Sequence, residues 1–99
     1  MYAVIRNFSG KGAKELCDVL EKHKADVESL MGSVKGLISY SFVRTADGGF
    51  SVTVCHDKAG TDDSIAKAKE WVAKNASSTG VSTPTITGGE VIVQIPGSR

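Results

Sequence analysis

The chain is 99 residues long, enough for one domain with a single core and too short for two. Hydrophobic residues make up 40% and charged residues 23%, and twelve basic against eleven acidic side chains leave a net charge of +1. The lysines are interleaved with Glu and Asp, so no basic stripe forms for nucleic acid, and no apolar run is long enough to span a bilayer.

The opening residues, MYAVI, lack the charged start and long apolar stretch of a secretory signal, so a cytoplasmic location is expected. There Cys17 and Cys55 are expected to be reduced. They make no metal-binding spacing with His23 or His56, and neither a metal nor a cofactor is expected.

Met1 to Phe8 reads as the first strand. Its alternating sets, Tyr2, Val4, Arg6, Phe8 and Ala3, Ile5, Asn7, are both largely apolar, which a sheet with one wet face does not usually show. The break Ser9-Gly10-Lys11-Gly12 lacks the spacing and hydroxyl of a phosphate loop and reads as a turn, with Ser9 or Gly10 near a helix cap. From Ala13 to Met31 a long helix is predicted. Its stripe holds Leu16, Val19, Leu20, His23, Val27, Leu30 and Met31, and Gly32 stands at its C-terminal end. Within that stripe His23 reads as a core or boundary residue rather than a ligand.

Gly36 to Asp57 organises the chain as a β-hairpin. Leu37–Arg44 and Phe50–His56 are rich in β-branched and aromatic residues, and the Thr45–Gly49 segment between them supplies Asp and Gly for the turn. Cys55 and His56 are neighbours on a strand, so they point to opposite faces and form no catalytic dyad. Residues 56–60 read as a loop to a second helix, with Thr61 as N-cap and Asp62 and Asp63 complementing the helix dipole. That helix is predicted to run to Asn75 or Ala76 and to bury Ile65, Ala68, Val72 and Ala76, with Trp71 at the edge of the face. Its alanines either bring it close to the sheet or leave a space above it. Ser77–Pro84 is a polar connector with the composition of a mobile loop, and Thr85–Ile95 is the fourth strand, with a bulge or break at Gly88-Gly89.

The order β-α-β-β-α-β predicts a single α+β domain over residues 1–99 with the ferredoxin-like fold, both helices on one face of a four-stranded antiparallel sheet. The other face then keeps large apolar side chains, for which Tyr2, Val4 and Phe8 are the strongest candidates. The expected solution is a homodimer packed sheet on sheet, with an interface of roughly 2,000 Å² or more.

With its element order, the Gly36-Leu37 start before Tyr40, the ADGGFSVTV turn and a tryptophan on the second helix, the chain resembles the antibiotic-biosynthesis monooxygenase-like proteins. These belong to the dimeric α/β-barrel superfamily, and the likeness covers nearly the whole chain. It implies a barrel formed by the sheets of two subunits and a pocket between sheet and helices in each. The family includes cofactor-independent oxygenases of aromatic polyketides and quinols, haem-degrading enzymes and members without assigned activity. Against the haem-degrading pattern, Asn7 and Trp71 match the strand Asn and the helix Trp. The position ten beyond Trp71 is Val81, however, and no histidine follows Trp71. The iron ligand is missing, which argues against haem degradation.

The expected ligand is therefore a small aromatic or quinol-type molecule. Asn7, Tyr40, His56 and Trp71 are the candidate binding residues, and Asn7 and Trp71 the candidate catalytic ones. Trp71 either lines such a pocket or fills it as core. A non-catalytic dimer that binds a small ligand, or that serves a stress-response or structural role, is the other reading.

Overall fold

The computed structural model describes residues 1–97. Its elements run β1 (Tyr2–Ser9), α1 (Ala13–Lys22), α2 (Lys24–Gly32), β2 (Leu37–Thr45), β3 (Gly48–Cys55), α3 (Lys58–Asn75), a 3-10 turn (Ser77–Thr79) and β4 (Thr85–Glu90). All the strand pairs are antiparallel and the sheet order is β2-β3-β1-β4, the ferredoxin-like arrangement, with the helices on one face. Among the described residues no helix is long and apolar enough to cross a membrane.

The long helix predicted over Ala13–Met31 is broken at His23, whose φ of −108° and ψ of 31° interrupt it between α1 and α2. The His23 ring instead meets the edge of Trp71 at 6.1 Å, so a contact with α3 accompanies the break. Gly12, rather than Ser9 or Gly10, caps α1, with φ +80°. α3 begins three residues before the predicted Thr61. Asp57 is its cap and accepts a hydrogen bond from the Gly60 N–H at 3.0 Å. Gly60, Thr61, Ser64 and Ala68 are the buried residues of α3. These small side chains let the helix lie close to β3: a Cβ on Gly60 would stand 2.7 Å from that of Cys55.

Two larger corrections concern the sheet. In β1 it is Val4, Arg6 and Phe8 that are buried against the helices, so Val4 and Phe8 do not lie on the open face. Tyr2, in register with buried Cys55, shares their side of the strand. The open face carries Ile5, Phe50, Val52, Val54 and Val43 instead, and Ile5 and Val43 are exposed. The expectation of large apolar groups there stands with different residues.

The second correction is that β4 ends at Glu90, not Ile95, and that Gly88 and Gly89 pair regularly with Val4 and Ala3 without a bulge. β4 is an edge strand whose one neighbour is β1. Its pairing ends where Glu90 faces Tyr2 and the Val91 N–H donates to Met1 O. The residues beyond are apolar and uncovered, Ile92 at 92% and Ile95 at 83% exposed. The sheet's irregularity lies in β2, between Leu37 and Ser39.

The connector is anchored rather than loose. Val81 packs on the cluster of Phe8, Ala13, Leu16 and Ala76, and the Thr79 hydroxyl donates to Ala76 O at 2.6 Å. A second cluster, Met31, Val34 and Cys55, fills the other end of the helix–sheet interface. Burial raises both thiols above their ordinary range, and the Cys17 thiol donates to Gly48 O, which leaves these cysteines inert.

Asp63 fastens α3 to the segment after α2. Its carboxylate accepts from Lys67 Nζ at 2.9 Å and from the Lys35 N–H at 3.3 Å, and these bonds hold its pKa below the usual carboxylate value. A depressed folded-state pKa contributes stability above the unfolded-state value, and that stability is lost as pH falls through the folded-state value. Thermal unfolding should therefore show Asp63→Asn less stable than the parent near neutral pH, with the difference closing as pH falls below the usual carboxylate range.

Candidate ligand-binding site

Between the two apolar clusters lies a polar seam. Arg6 is 5% exposed and points from the middle of β1 toward the helices. Opposite it in register on β3 is Ser51, and Thr53 follows two residues on, both fully buried. Arg6 Nε, Ser51 Oγ and Thr53 Oγ1 are buried without hydrogen-bond partners. No ion pair to Arg6 forms among the described residues. Buried polar atoms are nearly always paired, so three orphans side by side on the two central strands mark a place built for something other than stability.

Tyr40, on β2, is the electrostatic neighbour of the guanidinium. Burial lowers the pKa of Arg6 and raises that of Tyr40, and in each case the partner opposes the shift. At neutral pH the pair is a cation beside a neutral phenol. The guanidinium carbon also sits 5.6 Å from the centroid of the Phe8 ring, and Phe8 meets Phe42 at 6.2 Å.

Above this seam a small cavity of about 20 Å³ is walled by Arg6, Tyr40, Trp71 and aliphatic side chains from all three helices. It has room for one water molecule. Two open grooves flank it. One, of about 390 Å³, runs between α1, α2 and β2 and shares Tyr40 and Phe42 with the cavity. The other, of about 370 Å³, runs between α3 and the β1–β4 side and shares Arg6, Phe8 and Val72. Each is of the size that small-molecule sites have.

Of the four residues expected to bind a ligand, the structure brings Tyr40 and Trp71 to one cavity. Asn7 is exposed on the opposite face of the sheet, because it alternates with Arg6 and Phe8. His56 is exposed just past the end of β3, beside Gly36, and lines none of these spaces. Arg6 was not singled out in the sequence. Its flanks, Val4 and Phe8, were the available signal. No three His, Cys, Asp or Glu side chains converge among the described residues.

A four-stranded antiparallel sheet covered on one face by helices, with a polar seam between them, defines a ferredoxin-like α+β protein. No protein-family model and no curated protein matches the sequence. Among solved structures the chain is similar to the NE2512 protein of unknown function from Nitrosomonas europaea, at TM-score 0.68 and 17% identity over 98% of this chain and 94% of that one. It is also similar to a dimeric ferredoxin-like protein from an uncultured marine organism, at TM-score 0.63 and 17% identity over 95% and 94%. A third likeness is to the ActVA-Orf6 monooxygenase of Streptomyces coelicolor in complex with nanaomycin D, at TM-score 0.56 and 18% identity over 98% and 91%. At these identities the likeness, like the resemblance to antibiotic-biosynthesis monooxygenase-like proteins, is one of fold.

Proposed function

We propose that the protein is a homodimer in which each subunit holds a small aromatic or quinol-type molecule between its helices and its sheet, as a cofactor-independent monooxygenase-like protein. The observation that carries this reading is the seam where Tyr40, Trp71 and Arg6 meet, flanked on either side by an open groove large enough for one or two rings. The fold shared with a monooxygenase and with a dimeric ferredoxin-like protein supports it. So does the apolar open face, which a second copy would cover, together with the uncovered Ile92, Val93 and Ile95. Asn7 belongs to that face and would lie toward the partner.

Aromatic ligands should raise the melting temperature of the parent protein, and the shift should fall or vanish in Trp71→Ala. Oxygen uptake with a panel of hydroquinones and anthrones tests catalysis. Sedimentation should give a dimer at micromolar concentration, and a monomer there would sink the dimeric part. Ligand shifts without oxygen uptake would support the second reading, a binding protein without catalysis.

A further inference from the structure

We propose that Arg6 is an oxyanion anchor, and that the groove between α3 and the β1–β4 side takes a molecule with an apolar one- or two-ring body bearing a carboxylate or phenolate. This rests on the aromatic-ligand reading above and adds the ligand's charge to it.

The guanidinium is the starting point. It is nearly excluded from water, its Nε has no partner, and no carboxylate pairs with it among the described residues. The Phe8 ring shields the cation and Tyr40 stands beside it, but both are uncharged. A buried cation with planar donors and no counter-charge is an arrangement that an anion completes, and carboxylate geometry matches the guanidinium fork.

The two open grooves differ in the charge they present. The one beside α1 and α2 sets Glu21 and Glu28 against Lys24 and Arg44 and offers no preference of sign. The one beside α3 has Arg6 at its wall with Lys69 at its rim, and no Asp or Glu among its described lining residues. Lys69 has no ion pair among the described residues. The rest of the wall is mostly apolar, from Phe8, Val72, Val81 and Ile86, with the hydroxyl residues Ser77, Ser82 and Thr83. At about 370 Å³ the groove accommodates one or two rings while its charge selects an anion.

The test is titration calorimetry with matched probes: 1-naphthoate, its neutral isostere 1-naphthamide, and 4-nitrophenol on either side of its own pKa. The expected result is that naphthoate binds at least about tenfold tighter than naphthamide, the difference a charge-assisted hydrogen bond supplies. Nitrophenol should bind tighter as the phenolate if phenolates are also accepted; binding by naphthoate alone would narrow the anion to carboxylates. Arg6→Met should abolish the preference for naphthoate, Arg6→Lys should retain part of it, and Lys69→Ala should weaken its salt dependence. Equal affinity of naphthoate and naphthamide for the parent protein would overturn the anchor while leaving the aromatic pocket standing. Failure of both to bind would remove the pocket and the anchor together. The comparison of those two ligands uses only the parent protein, so it decides even if Arg6→Met does not fold.

Discussion

Arg6→Met should unfold at a higher temperature than the parent protein, by roughly 5 °C or more, as a gain of about 1–2 kcal/mol produces in a domain of this size. The side chain stays at a central position of β1, packed between Val4 and Phe8 on the helix side of the sheet. Desolvating a guanidinium without a counter-charge costs several kcal/mol, and its interaction with Tyr40 and a cation–π contact of about 0.5–2 kcal/mol on Phe8 recover part of that. Methionine fills similar space without the charge and adapts to the aliphatic walls around it. Differential scanning calorimetry at low ionic strength gives the answer. An unchanged or lower melting temperature would mean that the protein itself satisfies this cation. A higher one would mean that the domain tolerates a less stable residue at the position a ligand would use.

Gly12→Ala should cost about 2–5 kcal/mol, the sum of a left-handed penalty near 1–2 and an overpacking penalty near 1–3. Gly12 sits at φ +80°, and a Cβ there would stand 2.5 Å from Val81 N and 2.6 Å from Thr79 O. Both are backbone atoms, so the connector itself must move. Gly10 is the internal control: its φ is +77°, but open space surrounds its Cβ position. Gly10→Ala should therefore show the left-handed penalty alone, and urea denaturation of the two variants separates conformation from crowding. Val81 also walls the groove beside α3, so Gly12→Ala should disturb that site as well.

The element order, the hairpin and the ferredoxin-like arrangement were legible because each rests on local pattern: alternation in the strands, a 3.6-residue stripe in the helices, Asp and Gly at the turn. The site was less so. In β1 the pattern offered two nearly equivalent faces, and Tyr2, Val4 and Phe8 were expected on the open one. The structure buries Arg6 along with Val4 and Phe8. That single inversion carried Asn7 from the candidate pocket to the open face. Tyr40 and Trp71 line one cavity because aromatic residues at a strand centre and at the edge of an apolar helix face have few other places to go.

The remaining differences have tertiary causes that no local window contains. The break at His23 coincides with a contact made by Trp71, 48 residues away in the chain (71 − 23). β4 ends level with the start of β1, at Tyr2, despite the strand propensity of Val91, Ile92 and Val93. The start of α3 moved because two good caps, Asp57 and Thr61, lie four residues apart, and Asp57 is the one bonded.

The sheet order β2-β3-β1-β4 places β1 and β3 inside and leaves β2 and β4 at the edges. Arg6, Ser51 and Thr53 thus stand on the two strands whose amides are bonded on both sides, the part of a sheet that exchanges its amide hydrogens most slowly. Fraying of either edge would leave the polar seam in register. Apart from Arg6 and Phe8 on β1, the walls of the two grooves come from helices, a connector and edge strands, which open at lower free energy. A ligand could thus enter by local opening of the rim, without any rearrangement of the strands that hold its charged contact.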